Sequence, residues 1–171
     1  MTERPTRLGL FPGTFDPITN GHLDIIRRGR RLFDVLVVAV GDNPEKHSLL
    51  DAQERAAIIR EVVADMDNVR VEIFQGLTVD LARRLGATAI IRGLRNTTDL
   101  HFEFQVALTN RVVTGIETVF VITGTEWAFT SSSLIRQIAA MGGDVSAMVP
   151  PQVIPHLLSR RSGGQDHGLV E

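Results

Sequence analysis

The residues Phe11-Pro12-Gly13-Thr14-Phe15-Asp16-Pro17-Ile18-Thr19-Asn20-Gly21-His22 constrain this chain more than any other stretch. They follow a short apolar run, Leu8 to Phe11, and precede an amphipathic segment from Leu23 to Phe33. Two prolines and two glycines fix the connection, so it reads as a strand, a shaped loop and a helix start. Gly13 and Gly21 let a backbone approach a ligand, and Thr14 adds a hydroxyl. His22 falls in the first helical turn, where free N–H groups and the helix dipole attract anions. An ordinary strand-to-helix connection with an exposed histidine is the competing reading. The length, the Thr-x-Gly-His ending and the place after the first strand favour an anion site. Neither a Gly-Lys-Ser/Thr phosphate loop nor a GxGxxG fingerprint is present.

Strand and helix patterns alternate along the rest of the chain. Val35-Leu36-Val37-Val38-Ala39-Val40 is a continuous run suited to a buried parallel strand. Asp51 and Glu54 form a capping-box pattern before an apolar helical face of Ile58, Ile59, Val62, Val63 and Met66. Val69 to Phe74 alternates as a third strand, Leu77 to Leu85 is a short helix closed by Gly86, and Thr88 to Ile91 is a fourth strand. Arg92-Gly93-Leu94-Arg95 follows as a loop. A long helix is expected from Thr98 to Thr114, with Leu100, Phe104, Ala107, Leu108 and Val112 inward. Glu117 to Thr123 is a fifth strand; Thr130 to Ser133 opens another helix, and Pro150 to Ser159 a last short one. This order predicts an α/β fold, a single-domain doubly wound sheet of five parallel strands. The domain spans 1–161, and 162–171, without an apolar pattern, reads as a disordered tail.

Right-handed crossovers then place every strand-to-helix loop at one sheet edge, where ligands of such folds bind. Apolar residues at 43%, a net charge of −2 and no cysteine describe a globular chain without a disulfide frame or thiolate metal site. Nucleic acid and membrane are not expected as partners. No apolar run reaches spanning length and no signal-peptide core is seen, so a cytoplasmic protein is the expectation.

The loop residues Thr14, His22, Lys46, Arg92, Arg95 and the Trp127–Ser133 turn supply cations, hydroxyls and helix starts. That inventory suits phosphate. It offers no nucleophile with an oriented base, no carboxylate pair at a strand end and no metal cluster. It fits a transfer in which an anionic substrate attacks a phosphate and the protein aligns and stabilises. Each residue also has a plainer reading: Lys46 a surface lysine, Arg92 and Arg95 a solvated pair, Glu103 a surface ion pair. Ser131–Ser133 read as helix caps, and Trp127 and Phe129 fit core or interface as well as a nucleobase contact.

Pro-Gly-Thr-Phe-Asp-Pro followed by Thr-Asn-Gly-His resembles the signature of the nucleotidylyltransferase superfamily with the (T/H)xGH motif. Within it, the chain resembles the bacterial phosphopantetheine adenylyltransferase family from Phe11 to about Leu158. Ile91-Arg92-Gly93-Leu94-Arg95, Asp99-Leu100-His101-Phe102-Glu103 and Trp127-Ala128-Phe129-Thr130-Ser131-Ser132-Ser133 are similar to three further family elements. The resemblance implies a Rossmann-like nucleotidylyltransferase fold and adenylyl transfer from ATP to 4′-phosphopantetheine on the route to coenzyme A. It implies that Thr14, Lys46, Thr78 and Arg92 hold phosphopantetheine. It assigns Thr14, Phe15, His22, Gly93, Leu94, Arg95, Glu103, Trp127, Ala128, Phe129, Thr130, Ser131, Ser132 and Ser133 to ATP. His22 would stabilise the transition state, with Lys46 and Arg95 assisting. Mg²⁺ would arrive on the ATP phosphates with no dedicated protein ligands, and the family is usually a homohexamer. Phe102 stands where tyrosine is frequent, and Asp42 where small apolar residues are common. A nucleotidylyltransferase with another second substrate, or a nucleotide-sensing module without catalysis, are the alternatives.

Overall fold

The computed structural model describes residues 4–45 and 47–162, and for 161 and 162 the backbone alone. Five strands, β1 (Leu8–Gly13), β2 (Val35–Gly41), β3 (Val69–Phe74), β4 (Ala89–Leu94) and β5 (Glu117–Ile122), form one sheet. Its order is β3-β2-β1-β4-β5, and all neighbours are parallel. Between and after them run α1 (Asn20–Gly29), α2 (Ala52–Val62), α3 (Thr78–Leu85), α4 (Thr97–Thr114), α5 (Ser132–Ala140) and α6 (Ile154–Ser162). Short 3-10 turns occupy Thr125–Trp127 and Pro151–Val153. The doubly wound five-stranded parallel sheet expected from the alternation is present.

The apolar run of β2 explains how the sheet is covered. Successive side chains point to opposite faces. Leu36, Val38 and Val40 join a core with α1, α2 and α5 residues such as Ile26, Ile59 and Ile135. Val37 and Ala39 join a smaller core with Leu81 and Ala82 of α3. Both faces are dry, so the strand has no polar alternation.

Helix ends follow local rules. Asp51 accepts from the Glu54 N–H at 2.8 Å, and Glu54 accepts from the Asp51 N–H at 2.9 Å, the reciprocal box that starts α2. Gly86 ends α3 at φ 64°, a conformation that carries little cost only without a Cβ.

Three expectations are corrected. First, α1 runs from Asn20 to Gly29, starting and ending earlier than the amphipathic segment Leu23 to Phe33, with Thr19 as its cap. Second, Arg92, Gly93 and Leu94 belong to β4 rather than to a loop, pairing in register with Phe120, Val121 and Ile122 of β5. Third, α4 turns its apolar residues outward. Leu100, Phe104, Leu108 and Val112 are 42–86% exposed, and the buried residue of this helix is Glu103. The reason is position: α4 packs beside β5, the last strand of the sheet, with no further strand to receive its stripe. Ser162, the first residue assigned to the tail, ends α6; the rest of that tail lies outside the described residues. Among the described residues no helix is long and apolar enough to cross a membrane.

Candidate active site

Strand order reverses between β1 and β4, and in open parallel sheets that crevice is where ligands bind. A cavity of about 340 Å³ opens there, walled by the ends of β1 and β4 and the starts of α1 and α5. A second cavity, about 510 Å³, lies at the ends of β2 and β3, with Asp42, Pro44, Phe74 and Leu77 in its walls. Thr14 lines both.

His22 sits in the wall of the first cavity at the start of α1. Its backbone N–H donates to Thr19 Oγ1 at 3.2 Å, while the Thr19 N–H donates to His22 Nδ1 at 3.1 Å. Histidine thus takes the place that glutamate or glutamine holds in an ordinary capping box. A ring nitrogen that accepts an N–H carries no proton, so the neutral imidazole holds its proton on Nε2. Burial, followed by the Arg95 and Arg92 charges, pushes the imidazole pKa down to about 4. At neutral pH the ring is an uncharged donor, fixed at Nδ1 by backbone, and its Nε2–H has no hydrogen-bond partner among the described residues.

The surrounding packing holds that ring in place. Phe15, in a left-handed conformation at φ 52°, sets its ring edge-on to the imidazole at 5.1 Å and to Phe11 at 5.4 Å. A Cβ on Gly13 would lie 2.7 Å from the Phe15 ring. A Cβ on Gly21 would lie 2.8 Å from Thr130 Oγ1, so α1 meets the segment before α5 only because Gly21 has none.

The two arginines of the site are already engaged. Arg92 Nε donates to Glu103 Oε2 at 2.7 Å, Nη2 to Glu103 Oε1, and Nη1 to the Pro12 carbonyl at 3.0 Å. Arg95 grips Asp99 through Nε at 2.9 Å and Nη2 at 3.1 Å, and its Nη1 donates to the Thr130 carbonyl at 3.0 Å. The pair with Arg95 holds the Asp99 carboxyl below its ordinary range. Each cation of β4 and its end thus meets a carboxylate of α4, so the fork geometry is fixed while the formal charge is largely balanced. Glu103 is a buried partner of Arg92 rather than a surface ion pair.

Further residues, not singled out in the sequence, hold the β1–α1 loop. Buried Asp16 accepts from the Leu49 N–H at 2.8 Å and the Leu50 N–H at 3.0 Å. Arg136 of α5 donates to the Asp16 carbonyl, and Ser132, already expected at the site, donates through Oγ to the Pro17 carbonyl at 2.8 Å. Arg55 of α2 donates to the Thr14 carbonyl at 2.5 Å. Most of these partners are backbone groups, which leave no residue-type signal in a sequence. Asp16 alone, acidic between Phe15 and Pro17 in the turn, could have been suspected.

Of the residues expected at the site, Thr14, Phe15, His22, Arg92, Gly93, Arg95, Glu103 and Thr130 to Ser133 come together around the first cavity. Ser131 also caps α5, accepting from the Leu134 N–H at 3.2 Å. Leu94 is buried. Trp127 lines a different cavity, beside Leu23, Pro150 and Pro151, while Ala128 and Phe129 line neither of the two site cavities. Thr78 opens α3 next to Leu77, the last residue in the wall of the second cavity. Lys46 lies outside the described residues.

Residues 10–138 match the Cytidylyltransferase-like family model. The chain is 52% identical over 157 residues to a phosphopantetheine adenylyltransferase of Gloeobacter violaceus, covering 91% of this chain and 98% of the relative. It is 50% identical over 153 residues to one of a Nocardioides strain, covering 90% of this chain and 96% of the relative. A third, from Geotalea daltonii, is 47% identical over 150 residues, 87% of this chain and 93% of the relative. With the motif loop at the switch point and these matches running along nearly its whole length, the chain belongs to the Cytidylyltransferase-like family and, within it, to the phosphopantetheine adenylyltransferases.

Proposed function

We propose that this protein transfers the adenylyl group of ATP to 4′-phosphopantetheine, releasing pyrophosphate and dephospho-coenzyme A. The observation that carries this reading at the site is Thr14, shared by two cavities, the first of which the donor imidazole also lines. Two substrates, each in its own cavity, would meet at that residue. ATP takes the switch-point cavity, and the pantetheine arm takes the second, against Pro44, Phe74 and Leu77. The phosphate of the acceptor lies between them, near Thr14, Arg92 and Thr78.

The attacking phosphate is already ionised, so no group need remove a proton. The chain's task is alignment and charge stabilisation. Nε2–H of His22 donates to a nonbridging oxygen of the α-phosphate as charge builds there. Arg95 and Lys46 assist, and the start of α5 at Ser131 to Ser133 faces the remaining phosphates. Glu103 holds Arg92, and Asp99 holds Arg95, at fixed angles. Mg²⁺ would supply charge neutralisation on the ATP phosphates. Asp99 and Glu103 are committed to arginines, so the ion would be held by nucleotide and water.

The exposed stripe of α4, with Leu108 and Val112, supports assembly with further copies, which we read as a homohexamer in the cytoplasm. Sedimentation of the purified protein tests the assembly. The activity is tested by incubating protein, MgATP and 4′-phosphopantetheine and following both products. Formation of dephospho-coenzyme A with equal pyrophosphate is expected. Release of pyrophosphate only with nicotinate mononucleotide or glycerol 3-phosphate would replace this acceptor with another.

A further inference from the structure

Arg55 is an anomaly among the charged residues. It is 2% exposed, and among the described residues it has no carboxylate partner. Its neighbours Asp51 and Glu54 are committed elsewhere, to the capping box and to Arg160. The guanidinium is instead held by four backbone carbonyls. Nε donates to Leu50 at 3.0 Å and Asp51 at 3.2 Å, and Nη1 to Thr14 at 2.5 Å and Gly41 at 2.9 Å. A buried charge is costly unless paired or fully hydrogen-bonded, and here its bonds consume dipoles and leave the net charge in place.

Two of these carbonyls stand at the catalytic edge. Thr14 follows β1 and lines both cavities, and Gly41 ends β2 and lines the second. In a planar trans peptide, C=O and N–H point in opposite directions. Drawing the Thr14 oxygen back onto Arg55 therefore turns the next N–H, that of Phe15, away from Arg55. Phe15 and Thr14 line the switch-point cavity and Arg55 does not. No acceptor for the Phe15 N–H is found among the described residues. By contrast, Arg92 and Arg95 within the cavity are neutralised by Glu103 and Asp99.

We propose that Arg55 is a positioning residue for phosphate. It holds the Thr14–Phe15 peptide with its N–H toward the cavity and places a net positive charge behind the loop where both substrates converge. The proposal rests on the reading of that loop as the place where ATP phosphates bind.

Calorimetry with ATP, inorganic triphosphate and adenosine tests it, since adenosine occupies the nucleoside part without phosphates. In Arg55→Met, ATP and triphosphate are expected to weaken about 10–100-fold, the span of a charge-assisted contact, with adenosine nearly unchanged. Arg55→Lys keeps the charge but replaces the fork by a point donor, and an intermediate ATP-to-adenosine ratio is expected. It is the deciding variant if Arg55→Met does not fold. Equal weakening of all three ligands, or a folded Arg55→Lys with wild-type ratio and turnover, would overturn the proposal. A wild-type protein that binds triphosphate in this Arg55-dependent way, yet transfers nothing to 4′-phosphopantetheine, would break the functional reading and leave this one standing.

Discussion

Helices α1 and α4 both follow strands at the switch point and both bring residues to the cavity, yet they are held in opposite ways. Half of α1 is buried: Gly21, Leu23, Ile25, Ile26 and Gly29 face the core. In the longer α4 the buried residue is Glu103. His22 is fixed by the start of its own helix, whereas Asp99 and Glu103 fix arginines that belong to β4 and its end. The imidazole proposed to meet the reacting phosphate thus stands on an element half buried in the core. The groups that orient its neighbours stand on an element tied by ion pairs, with its apolar stripe left for another surface.

Cavity-forming substitutions break the comparison most sharply. Ile26→Ala on α1, at a fully buried position, should cost about 2–5 kcal/mol of stability. Val112→Ala on α4, at an exposed position, should stay within about 0.5 kcal/mol for the isolated chain. Denaturant melts of both variants decide it. A Val112→Ala loss that grows with protein concentration would show the stripe covered by another copy.

Next in size is the chemistry of α1. Removing a preorganised donor costs about 2.7–4 kcal/mol of transition-state stabilisation, roughly 100–1,000-fold in turnover. His22→Ala should lose that much while binding ATP within a few-fold. Because His22 also closes the capping box, the variant should lose about 1 kcal/mol of stability, or about 2–4 °C in Tm. Wild-type turnover would leave His22 only its capping role.

On α4 the matching change is smaller. Asp99→Ala frees Arg95 from its fork and should lower turnover about tenfold, the low end for contacts to a charged group. Stability should fall by less than about 1 kcal/mol, since the pair is partly exposed. Steady-state rates beside thermal melts separate the two effects. An unchanged rate would mean that Arg95 needs no orienting partner.

The last effect is on pH. An unfolded imidazole takes its proton near pH 6.5, the folded His22 only near 4. Between those values the unfolded state binds more protons, so stability is full above about 6.5 and falls as pH drops through the window. His22→Gln, which keeps a capping-box residue, should flatten that fall. An equal slope in the variant would assign it to other groups.

Much of the sheet and its shorter helices was legible in the sequence, since β-branched runs, Asp51–Glu54 and Gly86 carry local signals that the core reinforces. The Thr19–His22 box was not, because histidine is not the usual third residue of that motif. Helical periodicity located α4 and its stripe but could not tell which side faced protein; that depended on β5 being the sheet edge. Arg92 to Leu94 read as loop because an arginine and a glycine hide a strand's period. Arg55 was invisible because its partners are carbonyls, present at every residue.

The central claim is that α1 presents a neutral imidazole, with its proton on Nε2, to the reacting phosphate. Nitrogen-15 NMR of labelled His22, followed from pH 7.5 to 5 without and with ATP, tests it most directly. The account predicts a Nε2–H ring that does not titrate in that range, with the Nε2–H resonance shifting when ATP binds. A ring that titrates near 6.5, or carries its proton on Nδ1, would contradict it.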